Sequence, residues 1–174
     1  MVGIGLLIFG LAALFILTKS GASNGRDMEI SAIPVPVEYP APKLELFDLE
    51  GKQVSLDNLR GNVILVNNWA TWCPPCKEEM PIFEEYYQEY KHKDFMIVAV
   101  EAGQPQAEVA SFVKSFQLSF PIWLDPQTKA LDAFRNPRLP NSYLIDRDGM
   151  IRLAWTGGIT RKILDQYITP FLED

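Results

Sequence analysis

The chain has 174 residues and a mass of 19.7 kDa, a size that allows one globular domain with appendages. Hydrophobic residues make up 48% of it and charged residues 22%, which excludes disordered and collagen-like classes. The net charge is −6, so nucleic acid, which is bound by clustered basic residues, is excluded as a partner. Two cysteines and one histidine exclude Cys-rich zinc folds and multi-disulfide scaffolds.

An uncharged apolar segment opens the chain at residues 2–18. A helix over this run would be about 25 Å long, slightly short of the ~30 Å hydrocarbon core of a bilayer. The run predicts a signal anchor over residues 1–19, or the apolar part of a signal peptide cleaved after Ala22. Lys19 and Arg26 follow the run rather than precede it, opposite to the usual positive-inside bias. We still expect export, because the cysteine chemistry described below suits an oxidising compartment.

A proline-rich stretch follows at residues 20–42, with Pro34, Pro36, Pro40 and Pro42 closely spaced. Such a composition favours an extended and semi-rigid backbone, and it predicts a spacer that leads to a domain over residues 43–174. The alternative is that the last few residues of the stretch form an edge strand on the domain.

Strand and helix signals alternate through the predicted domain. Two short runs around a turn at residues 48–51 predict a β-hairpin, and apolar runs at 63–66 and 95–100 predict strands buried on both faces. A helix is predicted between those strands, from residue 74 to about 90. The later elements are predicted to be a helix at 107–116, a strand at 121–123, a helix at 129–134, a hairpin at 142–145 and 150–155, and a helix at 160–171. This order predicts an α/β fold with a mixed central sheet covered by helices.

Two cysteines open the helix that follows the first buried strand, in the sequence Trp72-Cys73-Pro74-Pro75-Cys76. Cysteines at this spacing can close a short disulfide or open to a dithiol, and a helix N-terminus stabilises a thiolate at Cys73. We expect Cys73, at the exposed cap position, to attack a substrate disulfide and Cys76 to resolve the mixed disulfide.

The prolines at the start of this helix bear on the direction of the reaction. Pro74 and Pro75 remove two N–H donors that would otherwise solvate the thiolate, so we expect a moderately depressed pKa for Cys73 and a reducing couple. Half of a zinc site and a structural disulfide are the alternatives. Zinc needs four ligands, and so small a disulfide loop adds little stability. We therefore expect no metal and no organic cofactor.

Two acidic residues are candidates for moving protons at the cysteines. Glu79 lies three residues past Cys76, on the same helix face, where partial burial would raise its pKa and let it shuttle the Cys76 proton. A solvated surface charge is the equal alternative for Glu79. Glu101, at the end of the second buried strand, is the second candidate.

Residues 63–81, which read VILVNNWATWCPPCKEEMP, resemble the core of the TlpA/ResA group of thioredoxin-like proteins. Residues 47–52 and 56–61 match the hairpin that precedes that core, and Pro140 with residues 143–149 matches the family's cis-proline strand and hairpin. The resemblance covers essentially all of residues 43–174. It implies a thioredoxin-like fold with an added N-terminal β-hairpin and an N-terminal apolar helix.

The resemblance also implies roles for single residues. Cys73 would be the nucleophile, Cys76 the resolving thiol and Glu79 the active-site acid. Pro140 would be the cis-proline opposite the cysteines, and Leu139 would present backbone groups that hold a substrate as an added strand. The other residues expected to contact the substrate are Trp72, Pro74 and Pro75.

Four residues depart from the family pattern. Asn67 stands where thioredoxins proper carry a buried Asp, which leaves the proton-shuttle role to Glu79 or Glu101. Asn68 stands where the family usually has Phe. Asn141-Ser142 follows the proline where the family more often has Thr or Glu followed by Thr, so substrate preference does not carry over.

Family members are typically tethered outside the cytoplasmic membrane, and many keep cysteines reduced during cytochrome c maturation or metal-centre assembly. We therefore expect a single-pass, extracytoplasmic thiol-disulfide oxidoreductase that mainly reduces protein disulfides and is re-reduced by a membrane thiol donor; cleavage would make it secreted or periplasmic. The alternatives are a thiol oxidase, a thiol peroxidase and a copper-delivery module. The peroxidase would need Thr where Ala70 stands, and the copper module would bind Cu(I) through both thiolates.

Overall fold

The computed structural model of the chain describes residues 32–173. The predicted apolar segment and the first part of the predicted spacer lie outside these residues. Within residues 32–173, no helix has both the length and the apolar character needed to cross a membrane.

The described residues form one mixed sheet of eight strands in the order β1-β8-β7-β4-β5-β6-β2-β3. Strands β4, β5 and β6 run parallel to one another, while β7 pairs antiparallel with both β4 and β8. The two edges are completed by antiparallel pairs of β1 with β8, β2 with β6, and β2 with β3. The strands are β1 (Val35–Pro40), β2 (Glu45–Asp48), β3 (Gln53–Ser55), β4 (Val63–Trp69), β5 (Phe95–Ala102), β6 (Ile122–Asp125), β7 (Asn141–Ile145) and β8 (Met150–Thr156).

Helices cover both faces of this sheet. One buried cluster joins the sheet to the longer helices, and a second joins the opposite face to α3 and to a 3₁₀ turn at Leu56–Leu59. The predicted mixed sheet flanked by helices is therefore confirmed. The helices are α1 (Pro74–Tyr90), α2 (Gln106–Phe116), α3 (Lys129–Ala133), α4 (Arg161–Tyr167) and α5 (Pro170–Glu173).

Strand β4 lies at the centre and positions the cysteines. All seven of its residues are buried, because β5 and β7 flank it and helices cover both of its faces. Successive side chains of a strand point to opposite faces, so the consecutive residues Asn67 and Asn68 serve different sides of the sheet. The chain then turns and enters α1 through Cys73.

Two boundaries differ from the prediction. The sheet begins at Val35, inside the stretch predicted as a spacer and ahead of the domain start predicted at residue 43, because β1 is an edge strand that tolerates Pro36 and Pro40. This is the edge-strand alternative given above for the end of that stretch. The predicted C-terminal helix is two helices, since Pro170 lacks an N–H donor and disfavours helical geometry at the residue before it.

Candidate redox site

The two cysteines form a disulfide at the start of α1. Cys73 is the N-cap residue, and Pro74 and Pro75 occupy the first helical positions. The Cα atoms of Cys73 and Cys76 lie 5.3 Å apart, within the usual range for a disulfide. The site is thus a helix-capping cysteine pair in its oxidised form.

Cys73 is less exposed than its cap position predicts. Its exposed fraction is 4%, against 0% for Cys76, so Cys73 is the more exposed of the two thiols, as predicted, but it is largely buried. The reason is that Cys73 lies in the wall of a shallow depression of about 360 Å³. None of the residues lining this depression is charged, and Cys76 is not among them; they are Trp72, Cys73, Pro74, Pro75, Ala102, Thr128, Leu131, Pro137 and Leu139.

The start of α1 offers a thiolate little stabilisation. The first two helical positions are prolines, which have no N–H group to donate. The side chain of Cys73 makes no capping hydrogen bond. A thiolate at Cys73 would therefore be stabilised mainly by the helix dipole and by the amide of Cys76.

Glu79 is buried in the core, three residues after Cys76 on α1. Its exposed fraction is 1%, and its Oε1 accepts a hydrogen bond of 2.8 Å from Nδ2 of Asn67. Burial raises the pKa of Glu79 to about 8, and the hydrogen bond from Asn67 opposes this rise. The prediction of a buried carboxyl with a raised pKa is confirmed, and the surface alternative is wrong.

Asn67 connects three elements of the site. Its Nδ2 also donates a hydrogen bond of 3.0 Å to Oγ of Ser142, the residue directly opposite on β7. One amide thereby joins β4, α1 and β7. From sequence, Ser142 is only a departure from the family pattern, and the strand register, which short-range patterns do not reveal, makes it a partner of Asn67.

Glu101 is a second buried acid, separate from the first. It lies at the carboxyl end of β5 and accepts a hydrogen bond of 2.9 Å from the backbone N–H of Gln104. Burial raises the pKa of Glu101, the hydrogen bond from Gln104 opposes this, and the charge of Asp125 raises it further. No hydrogen bond among the described residues connects Glu101 with Glu79 or Asn67.

The loop that precedes β7 supplies the other wall of the depression. The Leu139–Pro140 peptide bond is cis, as the family resemblance implies, and the Pro140 carbonyl accepts a hydrogen bond from Gly157. The side chain of Leu139 lines the depression. Within residues 32–173, the backbone N–H and C=O groups of Leu139 have no hydrogen-bond partner. Trp72 is 61% exposed at the rim.

No group of three or more His, Cys, Asp or Glu side chains is arranged to hold a metal ion within residues 32–173.

A larger cavity, of about 670 Å³, lies away from the cysteines between the β2–β3 pair and the ends of α1 and α2. Cys73 therefore lies at the depression, and neither cysteine lines the larger cavity.

Comparison with known proteins agrees with this site. The model of the AhpC/TSA family matches residues 37–154. The thiol-disulfide oxidoreductase ResA of Bacillus cereus (strain ATCC 10987 / NRS 248) is 36% identical over 168 residues, which cover 95% of this chain and 93% of that protein. The ResA of Geobacillus thermodenitrificans is 38% identical over 155 residues, covering 89% of each chain.

A solved structure shows the same architecture. The crystal structure from Chlorobium tepidum assigned as a thiol:disulfide interchange protein DsbE superimposes with a TM-score of 0.73 at 28% identity, covering 78% of this chain and 96% of that one. The fold is therefore thioredoxin-like, and the disulfide at the start of α1 stands in a protein whose relatives exchange thiols and disulfides. The chain belongs to the AhpC/TSA family, as a thiol-disulfide oxidoreductase of the ResA type.

Proposed function

We propose that the Cys73–Cys76 pair acts as a reductant of disulfides in protein clients outside the cytoplasmic membrane. The observation that carries this proposal is the pair of prolines at the first two positions of α1. Because they offer no N–H to a thiolate, they leave the dithiol form weakly stabilised. A dithiol that is weakly stabilised passes its electrons on readily, as a reductant does.

The reaction transfers two electrons and two protons to the client. The Cys73 thiolate attacks one sulfur of the client disulfide, a mixed disulfide forms, and the other client sulfur leaves as a thiolate. The Cys76 thiolate then attacks the Cys73 sulfur, which re-forms the Cys73–Cys76 disulfide and releases the second client sulfur. Both client sulfurs take up protons and end as thiols.

Glu79 is the group proposed to receive the proton of Cys76. Its pKa of about 8 lies close to the ordinary thiol value of about 8.5, so proton transfer between the two groups is nearly balanced. General bases act best when their pKa lies near the working pH. At pH 7 about a tenth of Glu79 would be ionised and ready to accept the proton.

The depression beside Cys73 is proposed to hold the client. Its uncharged lining favours apolar residues around the client cysteine. The unpaired N–H and C=O groups of Leu139 would pair with the client backbone as with an added strand. Trp72, Pro74 and Pro75 would contact the client from the opposite side.

The anchoring and the partners follow from the sequence expectations. The apolar run at residues 2–18 would hold the chain in the membrane as a signal anchor, with the spacer reaching as far as β1. A membrane thiol donor would re-reduce the disulfide, and proteins of cytochrome c maturation or metal-centre assembly would be the clients.

Trapping the mixed disulfide tests the proposed roles. A peptide with one internal disulfide is mixed with pre-reduced Cys76→Ser or Cys73→Ser protein, and the products are resolved by mass under non-reducing conditions. The Cys76→Ser variant should accumulate the peptide on Cys73, while the Cys73→Ser variant should form no adduct at comparable times. An adduct of equal yield on Cys76 of the Cys73→Ser variant would contradict the assignment of the nucleophile.

A further inference from the structure

Two of the departures from the family pattern meet in one contact. Asn68 on β4 and Asn141 on β7 are direct cross-strand partners, although they are 73 residues apart in the chain. Nδ2 of Asn68 donates a hydrogen bond of 2.8 Å to Oδ1 of Asn141. Both side chains have an exposed fraction of 0%. A buried pair of amides thus stands beside the cis-proline loop.

The surroundings fix which way both amides point. Nδ2 of Asn141 donates to two backbone carbonyls, 2.6 Å from that of Arg138 and 3.3 Å from that of Asn136. A carbonyl only accepts hydrogen bonds, so the Asn141 amide must turn its nitrogen to the loop and its oxygen to β4. Asn68 must then present its own nitrogen to that oxygen. The pair therefore has one favoured orientation, in which Oδ1 of Asn68 has no hydrogen-bond partner among the described residues.

The shorter of these two hydrogen bonds runs from Asn141 to the carbonyl of Arg138. That carbonyl belongs to the same peptide group as the Leu139 N–H. In a trans peptide the C=O of one residue and the N–H of the next point in opposite directions from one plane. The bond from Asn141 to the Arg138 carbonyl draws that oxygen inward, so the Leu139 N–H points away from Asn141. Leu139 lines the depression, and its N–H has no hydrogen-bond partner among residues 32–173.

We propose that Asn68 and Asn141 are positioning residues that orient the Arg138–Leu139 peptide group for pairing with the client backbone. This inference rests on the proposed function, because it deepens the account of how a client is held. Neither amide hydrogen-bonds to Glu79, so the pair should govern client binding and leave the sulfur chemistry unchanged.

A comparison of two substrates separates positioning from a merely structural role. The first is a peptide with one internal disulfide, which can pair with Leu139, and the second is hydroxyethyl disulfide, which has no backbone. Single-turnover reduction by pre-reduced protein is measured against substrate concentration for Asn68→Leu, for Asn141→Thr and for a control, Ile64→Val. Ile64 is a buried residue of β4 on the same face as Asn68.

Both asparagine variants should raise the half-saturating peptide concentration about tenfold, the loss expected for one well-placed hydrogen bond. The maximal rate with peptide, and the rate with hydroxyethyl disulfide, should stay within about twofold of wild type. The Ile64→Val control should change neither. Asn141→Thr keeps a small polar side chain at position 141, so it keeps the test available if Asn68→Leu does not fold.

Native-state digestion with trypsin gives a second readout. Cleavage of the Arg138–Leu139 bond should accelerate in both asparagine variants, relative to cleavage of the exposed Arg147–Asp148 bond. An unchanged half-saturating concentration in folded variants, or an equal slowing with both substrates, would overturn the inference alone. Failure of the wild-type protein to reduce the peptide at all would instead overturn the proposed function, and this inference with it.

Discussion

Asn67 and Asn68 are neighbours on one strand with the same side chain, yet they serve opposite faces of the sheet. Asn67 donates to Glu79 and Ser142 on the α1 face. Asn68 donates to Asn141, and through it is connected to the carbonyl of Arg138. One network ends at a group that titrates, and the other ends at a backbone loop. The alternation of a strand thereby separates proton handling from client alignment within two consecutive residues.

The physical surroundings explain why the two networks differ. Glu79 is enclosed by the apolar cluster between the sheet and α1, where burial disfavours its charged form. The Asn68 network contains amides and carbonyls and no ionisable side chain. Changes of pH should therefore act on the Asn67 side and leave the Asn68 side unaffected.

The largest effect predicted from this difference is on the stability of the oxidised protein. The pKa of Glu79 is raised from an ordinary value of 4.5 to about 8, so folding favours the protonated form. The contribution of Glu79 to the free energy of unfolding is fully present below pH 4.5 and is lost as the pH rises through about 8. The loss is up to about 5 kcal/mol. The Glu79→Gln variant should lose most of this pH dependence of the free energy of unfolding, measured by urea unfolding between pH 5 and 8.5.

Glu101 also lowers the free energy of unfolding as the pH rises, because its pKa is likewise raised by burial. The difference between wild type and Glu79→Gln is therefore the quantity to measure. Glu85, an exposed residue of the same helix, gives the matched control, Glu85→Gln. An equal pH dependence in wild type and Glu79→Gln would show that Glu79 does not carry the raised pKa.

The next effect is on the resolution of the mixed disulfide. Without a carboxyl beside Cys76, the Glu79→Gln variant should release client from Cys73 about 100-fold more slowly near pH 7, the size usual for loss of a general base. Rapid-mixing assays that follow release of a chromophoric thiol from Cys73 would measure this step. If release slows by the same factor in Glu85→Gln, the carboxyl of Glu79 is not the proton acceptor.

A smaller effect is expected from the amide that contacts Glu79. The hydrogen bond from Asn67 lowers the pKa of Glu79, so Asn67→Leu should raise it further, by about one unit. The midpoint of the carboxyl titration, followed by NMR of labelled glutamate, reports this shift. A midpoint that falls in Asn67→Leu would contradict the assigned contact.

The smallest effect is the one that sharpens the comparison most. Asn68→Leu changes the adjacent residue in the same chemical way, yet it should leave the Glu79 midpoint where it is in the wild type. The same NMR titration supplies the measurement. A shift in Asn68→Leu as large as that in Asn67→Leu would show that the two faces are not separate.

The parts of the site that lie close together in sequence could be predicted, and the parts joined across strands could not. The cysteine pair and its helix follow from spacing over a few residues, whereas helical spacing favours the burial and the exposure of Glu79 equally. The Asn68–Asn141 bond depends on the register of β4 against β7, which no local pattern contains. The register also brings Ser142 opposite Asn67.

The features that differ from the prediction have physical causes that sequence patterns do not take into account. Four closely spaced prolines predict a spacer, yet the edge of a sheet accepts Pro36 and Pro40 because one side of an edge strand needs no N–H donors. The burial of Cys73 depends on how residues 128–139 pack against the start of α1, and this packing is a property of the tertiary structure.

The reduction potential of the Cys73–Cys76 pair tests the central claim most directly. It is measured by equilibrating the purified protein with thiol–disulfide buffers of known potential and trapping the thiols with alkylating reagent. A reductant should give a value near or below about −250 mV, comparable to thioredoxin. A value near about −120 mV, comparable to a strong periplasmic oxidant, would contradict the reductase and favour the thiol oxidase.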